Sequence, residues 1–417
     1  MKNQFLCLIC RCVIDECLVD LHKSSFHNSI KHYGLMWPLK VEHSVSRDLW
    51  PVMIYESEVI ARALGVSKVY IRDEGMNFSG SMKDYSVERA IKIGSESGHK
   101  VFFIVSSGNH AVSLAKYAVK NGARAVVFTP ATSSKIGILS SMNNVYVVGV
   151  KESIFEDVYS LVAGMNLEGF YNANVSNEFL LSSFAPIAEQ IAKLDPFPTH
   201  ILAGVGNGSY LAGILLALDG LVAVPSKIIP VGMAGAFPVE VAFEKKDYLE
   251  EYQDFKVDEH SIDAAEGSIA IASYSMPQLM HAVYSSKGFP LGGLLNEDLG
   301  LAYELLASDK NLMEKGVVPE PTGIMGLAAA LKHKEKFSPN DVILIGFTGH
   351  GVKDMSGIRR VTSSLGSLLI EKAMKKRPDL LVHEHEIRED RILYVDKSIA
   401  PSDLKSLIEK MMGGKDG

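Results

Sequence analysis

An α/β fold of two lobes, each a mostly parallel sheet flanked by helices, is what this sequence predicts, and three observations carry the prediction. Short apolar, β-branched runs recur along the chain: Val101–Val105, Ala125–Phe128, Val145–Val150, His200–Ala203 and Val342–Phe347. They alternate with amphipathic stretches of helical length, the pattern of parallel strands covered by helices. Three of the runs also empty directly into polar, glycine-bearing turns, and the carboxyl ends of strands are where open α/β sheets place ligands.

In chain order, residues 1–40 form a separate N-terminal segment that holds all four cysteines, Cys7, Cys10, Cys12 and Cys17. The remaining 400 residues have none, which excludes a disulfide framework for the body of the fold. His22, His27 and His32 are the nearby residues that could complete a metal site with these cysteines, but a metal-free segment is expected, because structural zinc needs four ligands in workable geometry. Residues 41–355 read as a two-lobed core, with the smaller lobe at about 85–195, and residues 356–417 as an extension. The extension suggests helix, short strands around Leu380 and Ile392, and a last helix from Ser402 to Met412. It reads as a packing or dimer-contact element, and a homodimer is the expected assembly. The charged stretch Phe243–His260 reads as a solvated helix or lid-side loop.

Four turns carry candidate chemistry. Asn77-Phe78-Ser79-Gly80-Ser81-Met82-Lys83-Asp84 places one lysine behind a small hydroxyl-rich turn and ahead of a helix. A lysine so placed attacks carbonyls when burial or nearby positive potential lowers its pKa; the alternative is an ordinary turn with a solvated lysine. Ser106-Ser107-Gly108-Asn109-His110 follows a buried strand and offers hydroxyls, backbone donors and a carboxamide, suited to a carboxylate or, more plainly, to helix capping. Gly204-Val205-Gly206-Asn207-Gly208-Ser209-Tyr210 opens an apolar helix, and closely spaced glycines there let amides converge on an anion. It is neither a dinucleotide fingerprint, which needs glycine at position 209, nor a Walker loop, which needs Gly-Lys-Ser/Thr. Tight helix packing is the competing reason for its glycines. Phe347-Thr348-Gly349-His350-Gly351-Val352-Lys353-Asp354 sets a hydroxyl at the tip of a strand; His350 reads as structural, since nothing in the sequence pairs it with a carboxylate.

These four turns, with Glu320-Pro321-Thr322-Gly323 between the last two, resemble the pyridoxal-phosphate enzymes of the tryptophan synthase β-subunit-like fold (fold type II), and among them threonine synthase. The likeness covers about residues 45–355 and keeps the family's order. The resemblance implies pyridoxal 5'-phosphate as cofactor, with Lys83 bonded to it and shuttling protons. It further implies Asn109 at the phenolic oxygen, Gly206, Asn207, Gly208, Ser209 and Tyr210 at the phosphate, and Thr348 at the pyridine nitrogen. Ser81, Ser106 and Ser107 face the substrate carboxylate in this reading. The implied reaction converts O-phosphohomoserine and water to threonine and phosphate, with the cofactor as electron sink. A serine/threonine dehydratase, or another elimination or replacement enzyme on a small amino acid, is the alternative.

Some positions depart from the threonine synthase pattern. Asp84-Tyr85-Ser86 stands where Asp-Arg-Gly is usual, and Ser273 lies in a stretch where many members carry arginine. Dianionic groups favour bidentate arginine; Arg89, about one turn beyond the lysine turn's end, is the candidate replacement. The cysteine-bearing start is similar to the zinc-ribbon-like head of some threonine synthases, with the second Cys-x-x-Cys missing.

Composition agrees with an enzyme without specifying one: 417 residues, 47% apolar and 22% charged, are ample for a large core. With 42 basic against 49 acidic residues and no basic block, nucleic acid and anionic membrane are not expected partners. The longest apolar run, Tyr210–Val224, is interrupted by Asp219, and no secretory leader is read at the start, so a cytoplasmic location is expected.

Overall fold

The computed structural model describes residues 4–8, 12–15, 36–39, 53–133, 135–165, 167–174, 177–246, 275–381 and 387–413. Its strands are β1 (Gln4–Cys7), β2 (Val13–Asp15), β3 (Met36–Pro38), β4 (Met53–Glu56), β5 (Lys68–Asp73), β6 (Val101–Val105) and β7 (Arg124–Pro130). They continue with β8 (Val145–Lys151), β9 (Phe170–Asn172), β10 (His200–Gly204), β11 (Lys227–Met233), β12 (Leu291–Leu294), β13 (Val342–Phe347) and β14 (Ile392–Asp396). The chain divides into two compact units, Met1–Met82 with Leu181–Leu381, and Lys83–Leu180 with Val382–Gly417.

The first unit holds a six-stranded sheet in the order β12-β11-β10-β13-β5-β4, parallel except for the antiparallel edge strand β4. Its inner strands β10 and β13 are buried along their whole length, which is why they read as continuous apolar runs rather than alternating ones. Leu202, Ile229, Ile343, Ile345 and Phe347 form one core with Met325 and Ala329 of the Pro321–Lys332 helix. The chain leaves β10 toward β11 and β12 on one side and returns as β13 on the other. A topological switch point therefore lies between β10 and β13, at the strands whose following loops are Gly204–Ser209 and Thr348–Gly351. A small antiparallel sheet, β2-β1-β3, belongs to the same unit; Gln278 Nε2 donates to the Met36 carbonyl at 2.8 Å, and Trp37 meets His281 edge-on.

The second unit holds a fully parallel five-stranded sheet, β14-β8-β7-β6-β9. Here β7 and β8 extend from one side of β6 and β9 returns on the other, so the switch point falls beside β6 and its Ser106–Gly108 turn. Residues after 356 do not form one body. Helices Met355–Val361 and Leu365–Lys376 belong to the first unit, whereas β14 adds an edge to the second unit's sheet, Ile392 opposite Val147, and the Pro401–Gly413 helix packs with it. The strand expected around Leu380 is instead a 3₁₀ turn, Pro378–Leu380: proline fixes φ and removes a ladder donor.

Cys7 lies buried in β1 and Cys12 is exposed; Cys10, Cys17, His22, His27, His32 and Ser273 lie outside the described residues, as does the charged stretch beyond Lys246. Among the described residues no cluster of three or more His, Cys, Asp or Glu could hold a metal ion, and no helix is long and apolar enough to cross a membrane.

Gly213 tests the packing side of the glycine-rich segment. A Cβ there would overlap the Phe184 ring and stand 2.6 Å from the Leu181 carbonyl. Gly213→Ala is expected to lower the unfolding free energy by about 1–3 kcal/mol in urea titration.

Candidate functional site

In the first unit the lysine turn is built onto the segment that follows β13. Met82 N–H donates to the Thr348 carbonyl at 2.9 Å and His350 N–H to the Gly80 carbonyl at 2.9 Å, with Ser81 bridging Gly349. On the opposite edge, Glu320 N–H donates to the Gly349 carbonyl and Gly351 N–H to the Val318 carbonyl. Thr348–Gly351 is thus held by backbone bonds and isolated bridges between the lysine turn and the residues leading into Glu-Pro-Thr-Gly. Ser79 and Ser81 are fully buried and Thr348 is 4% exposed. Lys353 Nζ donates to the Ser79 carbonyl at 2.8 Å.

A buried carboxylate joins this turn to the glycine loop. Glu74, immediately after β5, has no exposed surface. It accepts from Arg72 Nε at 2.6 Å, Tyr210 Oη at 2.8 Å and Asn77 Nδ2 at 2.9 Å. Asn77 Nδ2 also donates to the Ser81 carbonyl, and Arg72 Nη1 to Gln190. The Tyr210 hydroxyl is therefore directed into this network, so among Gly206, Asn207, Gly208, Ser209 and Tyr210 the last offers an anion its backbone amide. Gly208 caps the Ser209–Leu218 helix with φ of 84°, and a Cβ there would meet Leu279 Cδ2 at 2.6 Å. Only glycine fits both constraints. No side chain caps this helix, and the first-turn amides of any helix have no intrahelical acceptor.

In the second unit, Lys83 begins the Lys83–Glu96 helix, which packs on the Asn109–Lys120 helix. The latter is capped by Gly108 without a side-chain bond, so Asn109 sits in its first turn beside half-buried Ser106. Ser106 Oγ accepts from Gly108 N–H, and Ser107 is exposed, its carbonyl accepting from Ser133 Oγ. Val105 N–H donates to Asn174 Oδ1 at 2.8 Å, fixing the end of β6. Asp84 is buried and accepts from Ser113 Oγ at 2.5 Å. His110 Nε2 lies 3.5 Å from Ser86 Oγ, which donates to the Lys83 carbonyl; burial, then the charge of Lys83, hold His110 well below the usual histidine range. Arg89, the expected substitute arginine, donates Nε to the Phe179 carbonyl at 3.0 Å.

Sequence reasoning missed Glu74, Asn77 and Asn174. The signal for Glu74 was present: three consecutive charges, Arg72-Asp73-Glu74, directly follow the apolar run Val69-Tyr70-Ile71, and buried charges must pair.

Residues 45–349 match the family described as pyridoxal-phosphate dependent enzyme. The chain belongs to that family. A threonine synthase of Methanocaldococcus jannaschii is 27% identical over 314 residues, covering 72% of this chain and 74% of the relative. Among solved structures, maize serine racemase superposes with a TM-score of 0.59 at 18% identity, over 80% of this chain and 94% of that one. Diaminopropionate ammonia lyase from Escherichia coli gives 0.60 at 16% identity, over 76% and 88%. These structures share the fold, the tryptophan synthase β-like arrangement of fold type II.

The residues fit pyridoxal phosphate. A helix N-terminus opened by a left-handed glycine suits a phosphate, and the buried Thr348 hydroxyl suits a neutral ring nitrogen.

His350 is 1% exposed, and burial followed by the charges of Arg377 and Lys353 pushes it down to about 3 from 6.5. A depressed histidine contributes stability that is complete above pH 6.5 and is lost as pH falls toward 3. Asp73 opposes it: burial raises its carboxyl from 3.8 to about 6, a penalty on its charged form that is relieved as pH falls between those values. His350→Gln should therefore flatten the acid side of the stability curve, the gap in Tm from wild type shrinking between pH 7 and pH 5 in thermal unfolding of the cofactor-free protein.

Proposed function

We propose that this pyridoxal-phosphate dependent enzyme is a carbon–oxygen lyase of the threonine synthase kind, converting O-phosphohomoserine and water to threonine and phosphate. The observation that carries the reading is the docking of the lysine turn on Thr348–His350, with Met82 N–H on the Thr348 carbonyl one residue before Lys83. The name of the archaeal relative and the Thr-Gly-His-Gly segment support the substrate class.

When bound, the cofactor supplies the electron sink for the carbanion chemistry. Lys83 would hold it covalently and, as the free amine, would move the α- and β-protons of the substrate. The amides of Gly206 through Tyr210 and the Ser209 hydroxyl hold its phosphate. Asn109 donates to its phenolic oxygen. Thr348 meets the ring nitrogen with a hydroxyl, which leaves the ring less electron-withdrawing than a carboxylate partner would and suits elimination and replacement. Ser81, Ser106 and Ser107 take the substrate carboxylate; Arg89 stands by the same helix.

A dehydratase acting on serine or threonine is the second reading, and one observation favours it: Arg89 is committed in part to the Phe179 carbonyl, which reduces the guanidinium capacity for a substrate phosphate.

Product analysis separates the two. O-phosphohomoserine is expected to yield threonine and phosphate; an inert response there, with keto acid and ammonia from serine or threonine, assigns the dehydratase. Lys83→Ala should lose the visible absorbance of lysine-bound cofactor and lower turnover roughly 1,000-fold or more; unchanged turnover would remove Lys83 from the chemistry. Thr348→Asp should change the ratio of products more than it changes cofactor retention, read by absorbance after dialysis.

A further inference from the structure

Part of the chain after the family match reaches back to the lysine turn within the first unit. Arg377, just after the Leu365–Lys376 helix, is 7% exposed. Its Nη1 donates to the Gly75 carbonyl at 2.6 Å and the Asn77 carbonyl at 3.0 Å, and its Nη2 to the Phe78 carbonyl at 3.4 Å. Asp379 orients the guanidinium through Nε at 2.9 Å and Nη2 at 2.8 Å. One residue further on, Leu380 lies over Gly80: a Cβ at Gly80, where φ is 81°, would stand 2.5 Å from Leu380 Cδ1. A planar fork is the side chain able to collect several carbonyls that face one direction, and a lysine in its place has one point charge.

We propose that Arg377 is a positioning residue for Lys83: the extension holds the carbonyls of Gly75, Asn77 and Phe78 and so fixes the backbone turn from which Lys83 emerges. The proposal rests on the reading of Lys83 as the cofactor-bearing lysine. Bonds from a charged donor to carbonyls are stronger than neutral ones, and losing the donor removes these bonds from the turn, leaving the Asn77 carbonyl held by Gly80 N–H. The Arg377→Met turn is then free to sample other conformations, and only a fraction of molecules present the lysine correctly for attachment, which lowers the apparent rate by that fraction.

The test compares wild type, Arg377→Met, Arg377→Lys and Asp379→Ala. In cofactor-free protein, amide hydrogen exchange at residues 77–82 should accelerate about tenfold in Arg377→Met, with exchange in β10 and β13 unchanged. Attachment of pyridoxal phosphate to Lys83, followed by visible absorbance and by borohydride trapping with peptide mapping, should slow by a similar factor. Arg377→Lys should recover part of both effects, and Asp379→Ala, which folds without removing the guanidinium, should show a smaller loss of both. Faster exchange with an unchanged attachment rate would reduce Arg377 to packing and overturn the proposal, as would unchanged exchange in Arg377→Met. Wild-type protein that traps the cofactor at another residue would overturn the functional reading and this proposal together; an effect absent only in the variants leaves that reading standing.

Discussion

The segment Thr348–Gly351 is the constraint on which the first unit's site depends. It continues a buried strand past its end, and both of its edges are occupied by backbone, Gly80–Met82 on one and Val318–Glu320 on the other. Each such bond contributes only about 1 kcal/mol net, but an unmade one at a fully buried position costs the desolvation of the orphaned group. The arrangement is therefore close to all-or-none. It also explains the residue types: a Cβ at Gly351 would stand 2.8 Å from Ile358 and 3.0 Å from the Val318 carbonyl, so close approach decides that position. His350 serves the same end, its Nδ1 accepting from Val352 N–H while burial keeps the ring neutral. Thr348 is buried in the same segment, and its carbonyl accepts from Met82 N–H.

Glu74 performs the corresponding task for side chains. Burying a carboxylate and a guanidinium costs more in desolvation than their attraction usually returns, so the Arg72–Glu74 pair is a poor explanation for stability. Its value lies in registry. One carboxylate accepts from β5, from the first turn of the Ser209–Leu218 helix and from the lysine turn, so it ties the carboxyl ends of β5 and β10, which stand on either side of β13. A shift of any one element breaks a buried bond at the others, which is how a polar network specifies a single geometry.

Much of this was legible in the sequence, and for identifiable reasons. Strands β6, β10 and β13 read clearly because a parallel strand covered on both faces has no polar positions to blur it. The turns that follow them were legible because glycines and hydroxyls cluster where a helix N-terminus must stay open. What escaped was long-range: Arg377 and the Asn77 carbonyl are 300 residues apart, and no local pattern marks an arginine that will fold back on a turn. Local sequence places Tyr210 in the glycine loop, but the direction of its hydroxyl is set by Glu74, 136 residues earlier. The Leu380 strand failed on a local rule, since Pro378 ends any ladder at that point.

Topology and specificity separate cleanly in this chain. The loops expected to hold the cofactor lie at switch points, beside β6 in one sheet and between β10 and β13 in the other, and strand order alone puts a crevice there. The fold is shared with a serine racemase and an ammonia lyase at under 20% identity. Substrate choice is decided by side chains that topology does not dictate. Asp84 is engaged by Ser113 and Arg89 by the Phe179 carbonyl, so the Lys83–Glu96 helix already uses its first charged residues to fix its own packing.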